Sequence, residues 1–127
     1  MIDSALTMAE VAYFQVVQGE LARISFEGTL DSSTVVSVRG KLDSLLSGGV
    51  RWVLLDLAKV EYVSSAGWGL IMRFAELAEK RAGRIVLHGL IPKIQSTYRM
   101  LQLTDVVPAV ASEADGLALL EGVKTRT

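Results

Sequence analysis

Cysteine is absent from this chain of 127 residues, and histidine occurs once. Without thiols the chain forms no disulfide, thiolate zinc site, iron–sulfur cluster or cysteine nucleophile, and one histidine supplies too few imidazoles for most transition-metal sites. Thirteen basic residues nearly balance 14 acidic ones, and aromatic residues make up only 6% of the chain. Nucleic-acid binding needs a basic field or a base-stacking platform. We therefore expect no metal, no cofactor and no nucleic-acid partner.

Long hydrophobic runs are missing as well. The apolar run Trp52–Leu55 is cut by Asp56, and no run approaches the roughly 18 residues of a membrane-spanning helix. The start of the chain has Asp3 instead of a basic stretch followed by an apolar one, so we expect no secretory signal. Half of the residues are nevertheless hydrophobic. We expect a cytoplasmic protein without membrane insertion, folded as a single domain over residues 1–127.

Hydrophobic periodicity in the first half of the chain predicts a hairpin, a helix and a strand. Residues 11–17 and 21–27 are short apolar-rich runs around a glycine, and the second run alternates with period two. Asp31 then precedes apolar residues at helical spacing, and Gly48 follows the last of them. Residues 52–57 are nearly all apolar, which is typical of a strand covered on both faces.

The second half alternates helices and strands. The predicted elements are a helix from Ser64 to Gly83, a strand at 85–87, a helix from Pro92 with Ile94, Tyr98 and Leu101 on its apolar face, an edge strand at 106–110 and a helix from Ser112. A strand, a helix and a second strand in succession form a right-handed crossover between parallel strands. The sequence therefore predicts an α/β fold with a mixed sheet of four to five strands and about four helices, mainly on one face.

The segment Val60–Met72 combines polar chemistry with a favourable position. Ser64 and Ser65 stand where the buried strand turns into the helix, beside the first backbone N–H groups, which have no partner within the helix. Positive partial charge at that end would favour a phosphate on either serine. An ordinary N-cap is the alternative interpretation of these two residues.

A helical wheel of the same segment predicts what surrounds the serines. At about 100° per residue, Leu70, Phe74 and Leu77 fall near the centre of the buried stripe. Ser65, Trp68 and Met72 then fall together on the far side. The wheel predicts a serine flanked by two large apolar side chains on the solvent face, unless a loop or neighbouring strand covers them.

These residues resemble the STAS domain, the fold of bacterial anti-sigma factor antagonists. The resemblance is carried by residues 53–90, by GTLDSST at 28–34 and by Ile91–Val107, and it extends over about residues 10–122. In that family a strand ending in an acidic residue leads to a loop with Asp-Ser-Ser-Gly-Leu-Gly. A partner kinase phosphorylates the first of those serines.

Alignment on the two glycines of that loop transfers the family's site to this chain. The family's aspartate falls on Ser64, the phosphoacceptor on Ser65 and the second serine on Ala66. The resemblance thus implies phosphorylation of Ser65, with Ser64 as the second choice because it replaces the aspartate. It implies partner binding by Asp31, Ser64, Ser65, Ala66, Gly67, Trp68, Gly69 and Met72. Binding without any phosphorylation stays open.

The function implied by the resemblance is partner switching. The unmodified protein would bind an anti-sigma factor that is also a serine kinase, and phosphorylation would break the complex. The kinase supplies the chemistry, so we expect no catalytic residue in this chain, and a serine phosphatase would be a second partner. The alternative is a scaffold without phosphorylation, or a subunit of a stress-sensing or lipid-transport complex. A homodimer through the sheet edge or the Trp68 surface stays open.

Two enzymatic interpretations have weaker support. V-x-S-x-G at 63–67 is half of a hydrolase nucleophile elbow, but its first glycine is missing. The one histidine, His88, follows a buried run, which is typical of a hydrogen-bonded structural residue. Gly67 and Gly69 lack the third glycine of a dinucleotide fingerprint, where Met72 stands. We expect the two glycines instead to let the helix start pack closely against the sheet.

Overall fold

A computed structural model describes residues 7, 8 and 12–126 of the chain. The strands are β1 (Thr7–Met8), β2 (Ala12–Gln18), β3 (Leu21–Leu30), β4 (Trp52–Val63), β5 (Arg84–His88) and β6 (Ala109–Val110). The helices are α1 (Ser32–Ser47), α2 (Ser65–Lys80), α3 (Pro92–Met100) and α4 (Glu113–Arg126), and a 3-10 turn spans Leu103–Asp105. The predicted α/β fold class is confirmed, with a sixth strand added by β1. No helix within the described ranges is long and apolar enough to cross a bilayer.

The six strands form one mixed sheet in the order in which they occur along the chain. β1, β2 and β3 pair antiparallel, and β3, β4, β5 and β6 pair parallel. Gly19 turns the β2–β3 hairpin with a φ of +54°, a conformation that glycine adopts without strain. The predicted hairpin and the predicted parallel crossovers are confirmed, and β6 lies at an edge as Pro108 indicated.

Hydrophobic side chains fill both faces of the sheet. On one face α1, α2 and α3 pack against alternate residues of the strands, among them Val53, Leu55 and Leu57. On the opposite face α4 contributes Leu120 to a smaller cluster with Leu21, Trp52, Leu54 and Val86. Three helices on one face and one on the other agree with the prediction. β4 is covered on both faces over its first six residues, which explains why all of them except Asp56 are apolar.

Several element boundaries differ from the prediction; the edge strand predicted at 106–110, for example, is only Ala109–Val110. β4 continues past Leu57 to Val63 although several of its later residues are exposed, because β3 stays paired with it as far as the Leu30–Val63 register pair. Leu101, predicted on the apolar face of α3, lies just beyond the helix and is 49% exposed. Tyr98 of the same helix is buried, and its hydroxyl donates to the Val107 carbonyl at 2.6 Å.

Candidate functional site

Two helix N-termini lie next to each other at the carboxyl edge of the sheet. Leu30 ends β3 and Val63 ends β4, and these two residues are register partners. The Ser64 N–H donates to the Leu30 carbonyl at 2.9 Å. Asp31 and Ser64, the next residues of the two strands, are the N-caps of α1 and α2. This arrangement brings Asp31 close to the Ser64–Ser65 pair, as the family resemblance implied.

Asp31 is held as a charged cap. Its Oδ1 accepts from the Ser33 hydroxyl at 2.8 Å, the Ser33 N–H at 3.0 Å and the Thr34 N–H at 3.1 Å. The Asp31 N–H in turn donates to Thr34 Oγ1 at 2.9 Å, which completes a capping box. Hydrogen bonds hold the pKa of the Asp31 carboxyl below its ordinary value of 3.8. The largest effect comes from the Ser33 hydroxyl and the next from the Thr34 N–H. The Asp31 carboxylate therefore places a negative charge at the start of α1 at neutral pH.

The lowered pKa of Asp31 predicts a pH dependence of stability. The ionised carboxylate stabilises the fold fully above the ordinary pKa of 3.8, and this contribution is lost as the pH falls through the lower pKa of the folded state. We expect Asp31→Asn to reduce the free energy of unfolding near neutral pH and to differ less from the native chain in acid. Denaturant titrations across this range test it. A difference that grows on acidification would contradict it, and Ser33→Ala should weaken the same dependence.

The two adjacent serines differ in accessibility. Ser64 is partly buried, and its hydroxyl oxygen accepts from the Gly67 N–H at 3.3 Å. Ser65 is the first residue of α2 and is exposed. A phosphoryl group on Ser65 would stand at the positive end of the helix without displacing the cap. The assignment of Ser65 as phosphoacceptor remains a prediction.

Gly67 fixes the distance between α2 and the sheet. A Cβ atom at this position would lie 2.6 Å from the Leu30 carbonyl oxygen and 2.8 Å from Val63 Cγ1. Only glycine allows the helix to begin this close to β3 and β4. Gly69 is different, since a Cβ there meets nothing within 4 Å. The expectation that the glycines permit close packing is confirmed for Gly67 and wrong for Gly69.

These two glycines provide a matched pair of variants. We expect Gly67→Ala to lower the free energy of unfolding by about 1–3 kcal/mol, because the helix must shift away from backbone atoms that cannot yield. We expect Gly69→Ala to raise it by about 0.5–1 kcal/mol, because alanine is the better helix former and the space is open. Chemical denaturation of both variants measures the difference. Equal effects would contradict the packing described for Gly67.

Trp68 does not lie on the solvent face, so that prediction is wrong. Trp68 is 2% exposed, and its ring packs against Tyr98 of α3 with 6.3 Å between centroids and 40° between planes. Met72 is partly buried against the same core. The buried side of α2 is turned toward Trp68 compared with the side that the helical wheel predicted. Ile71, Ala75 and Ala78 are buried, whereas Leu77 is only partly buried. On the side of α2 taken as solvent-facing, Tyr98 of α3 packs against Trp68, whereas Ser65 stays exposed.

Exposed apolar side chains nevertheless occur near the serines, at positions that the sequence interpretation missed. Val36 in the second turn of α1 is 75% exposed, and Tyr62, two residues before Ser64, is 54% exposed. The helical spacing of α1 could have predicted that Val36 is exposed, because Val35 and Val38 face the core. Val36 and Tyr62 are therefore exposed apolar residues close in sequence to the N-caps Asp31 and Ser64, and Trp68 belongs to the core.

The histidine lies apart from the serines. His88 is buried at 7% exposure, as expected. Along β5, Ile85 and Leu87 face the three-helix side, whereas Val86 packs on the α4 side, and alternation places His88 on the α4 side too. Ser65 begins a helix on the other face. The arrangement does not bring His88 to Ser65, so the hydrolase interpretation loses the base on which it depended.

A family model and a named relative match this chain over most of its length. The family model described as Mlab, STAS domain matches residues 15–108. The Bordetella bronchiseptica protein BtrV, whose name is that of an anti-sigma factor antagonist, is 26% identical over 86 residues, covering 68% of this chain and 74% of BtrV.

Solved structures share the fold at low sequence identity. The Thermotoga maritima protein TM1081 superposes with a TM-score of 0.79 at 15% identity, covering 85% of this chain and 92% of that one. The anti-sigma factor antagonist SpoIIAA of Bacillus has a TM-score of 0.69 at 21% identity in its unphosphorylated form, covering 93% and 99%. Its phosphorylated form has a TM-score of 0.67 at 22% identity, covering 90% and 97%. Since the family model spans most of the chain and the fold agrees, this chain belongs to the STAS domain family.

Proposed function

We propose that this chain is an anti-sigma factor antagonist, which binds an anti-sigma factor kinase through the edge formed by Asp31 and Ser65 and is released when Ser65 is phosphorylated. The observation that carries the proposal is the exposed Ser65 at the start of α2, beside the ionised Asp31. The names of BtrV and SpoIIAA support it. SpoIIAA also has both an unphosphorylated and a phosphorylated form.

The direction of the switch follows from charge. Phosphorylation adds about −1.5 to −2 charges at neutral pH. In the free protein the N-terminus of α2 stabilises that charge, so the fold persists. In a complex the phosphate and the Asp31 carboxylate, two groups of like sign, would have to be desolvated together, which weakens binding. A serine phosphatase would restore the form that binds.

The accessibility of the two serines ranks the acceptors. Modification of Ser64 would disturb the hydrogen bond that it accepts from Gly67, whereas modification of Ser65 leaves that cap in place. Ser65 is the proposed acceptor, and Ser64 is the second choice.

The proposed binding surface differs from the one that the sequence alone predicts. Ser65 is exposed, and Ala66 and Gly69 are partly exposed. Val36 and Tyr62 supply exposed apolar area nearby. Gly67 and Trp68 act indirectly, because they fix the position of α2.

A second candidate function is a constitutive subunit of a transport or stress-sensing complex. It is favoured by the neutral Ser64, where the family carries an aspartate, and by the Mlab description of the matching family model. Such a subunit would use the same edge for binding and would carry no phosphate.

Affinity purification from the native cells separates the two candidates. We expect a kinase of the anti-sigma type to co-purify with the tagged chain. We expect phosphopeptide mapping to find phosphate on Ser65 in those molecules of the tagged chain that have no kinase bound. Retention of an ATP-hydrolysing transporter subunit, with no phosphate on Ser64 or Ser65, would reject the proposal in favour of the second candidate.

A further inference from the structure

A cluster of nitrogen donors lies at the amino ends of β4 and β5, at the opposite edge of the sheet from Ser65. Within the described residues, the side-chain nitrogens Nε of Arg51, Nε1 of Trp52 and Nε of Arg84 are buried and have no hydrogen-bond partner. Trp52 as a whole is only 2% exposed. Buried donors without partners are rare, because each loses its hydration and gains nothing in return. Three such donors on neighbouring positions of the sheet suit a ligand that accepts hydrogen bonds.

The backbone holds these side chains together. Trp52 and Arg84 are register partners on adjacent parallel strands, so both side chains leave the same face of the sheet. The Cζ atom of Arg51 lies 5.0 Å from the centre of the Trp52 ring. The Arg84 N–H donates to the Arg51 carbonyl at 2.8 Å, and Arg51 Nη2 donates to the Ala82 carbonyl at 2.7 Å. The Arg51 guanidinium therefore lies over the buried indole, and the Arg84 side chain leaves the sheet from the neighbouring position on the same face.

The charges around the cluster are mainly positive. Lys80 and Arg81 lie at the end of α2, where they complement the helix dipole. Arg51 and Arg84 are at strand ends and have no such role. Glu20 pairs with Arg51: its carboxylate is 3.9 Å from Arg51 Nη1, and its side chain is 56% exposed.

The acidic residues of α4, the helix that covers Trp52, do not outweigh the positive charges around the cluster. Glu121 of α4 is exposed and follows Leu120, which packs in the cluster that contains Trp52. With Glu79 in the last turn of α2, three exposed carboxylates lie on the elements that meet at this edge, against two arginines and the two cations at the end of α2. The edge keeps an excess of positive charge.

We propose that Arg51, Trp52 and Arg84 form a binding site for a small oxyanion of the phosphate or carboxylate class. Guanidinium and indole groups donate hydrogen bonds and accept none, so the complementary ligand is an acceptor with negative charge. A planar guanidinium matches two oxygens of a phosphate or carboxylate at once. The site is independent of the switching function at Ser65, because it lies at the other edge of the sheet.

Titration of the ¹⁵N-labelled full chain with inorganic phosphate, followed by NMR, tests the proposal. We expect the Trp52 indole resonance and the Nε–H resonances of Arg51 and Arg84 to shift and to saturate. Trp68 is the internal control, because its Nε1 is also buried without a partner but packs beside Tyr98. Chloride at the same ionic strength should not reproduce the shifts. Equal movement of both indoles, or no saturable shift, would overturn the proposal.

Variants identify the groups that bind the anion. We expect Arg84→Gln and Arg51→Gln each to weaken phosphate binding about tenfold, since each removes a charge-assisted hydrogen bond. Trp52→Phe keeps the ring and removes the indole donor, and should weaken binding less. Arg81→Gln, a matched control on the exposed helix end, should change it little. Unaltered binding in Arg51→Gln and Arg84→Gln alike would contradict the assignment.

Parallel titrations distinguish the sources of the anion. O-phosphoserine represents a phosphomonoester, and acetate represents a carboxylate. Tighter binding of O-phosphoserine than of inorganic phosphate would identify a phosphorylated molecule as the source, and preference for acetate would identify an acidic side chain or chain terminus. Saturable binding of any of them at Trp52 supports the site, and failure of all three overturns it.

Discussion

Replacement of Trp68 by alanine is expected to lower the free energy of unfolding by about 3–5 kcal/mol, the range for loss of a large aromatic side chain from a core. Trp68 is almost fully buried and packs on Tyr98, which ties α2 to α3. A surface residue that only contacts a partner would leave the stability of the isolated chain nearly unchanged. Denaturant unfolding of the isolated protein therefore separates the two roles.

Trp68→Phe is the matched control for that variant. Because the indole Nε1 has no partner, phenylalanine loses no hydrogen bond and keeps a ring against Tyr98. We expect it to cost less than half as much as Trp68→Ala. If Trp68→Ala left stability intact and abolished partner binding, Trp68 would be a contact residue and the burial described above would be contradicted.

Introducing a charge at Ser65 is expected to have the second large effect, on affinity. We expect Ser65→Asp to weaken partner binding about 100-fold, equivalent to ~2.7 kcal/mol, because an added carboxylate next to Asp31 must be desolvated in the complex. The thermal stability of the isolated chain should hardly change, since an acidic residue in the first turn of a helix is favourable. Calorimetric titration and thermal unfolding measure the two quantities.

Ser112→Asp provides the matched charge for this experiment. Ser112 stands before α4, and its hydroxyl accepts from the Asp115 N–H at 3.2 Å. Aspartate caps helices as well as serine does, and α4 packs on the other face of the sheet. We expect this variant to bind the partner like the native chain. Equal losses in Ser65→Asp and Ser112→Asp would indicate a general charge effect and would argue against an interface at Ser65.

Much of this fold could be predicted from local patterns. The glycine between the first two apolar runs set the hairpin, and the capping residue Asp31 set the start of α1, because both effects involve neighbours in sequence. The STAS resemblance implied that Asp31 belongs to the same site as Ser64, and the structure shows the reason, because the parallel strands β3 and β4 end at a common edge. The close packing of Gly67 was anticipated because glycine has no Cβ and lets a helix start approach the sheet.

Long-range contacts account for what the sequence did not reveal. Trp68 is buried by Tyr98, a residue on a different helix, and no helical wheel of α2 alone contains that helix. β4 extends to Val63 because β3 accompanies it. The donor cluster depends on the register that sets Trp52 beside Arg84, residues separated by a whole helix. Each of these features needs the assembled sheet.

The most direct test of switching uses the phosphorylated protein itself. The chain is phosphorylated in vitro by the kinase recovered with it, the modified residue is mapped by mass spectrometry, and the affinity of the purified phosphoprotein for that kinase is measured by calorimetric titration. The account predicts phosphate on Ser65, binding weakened by at least about 100-fold, and an unchanged fold. A phosphoprotein that is modified at Ser65 and binds as tightly as the unmodified chain would contradict it.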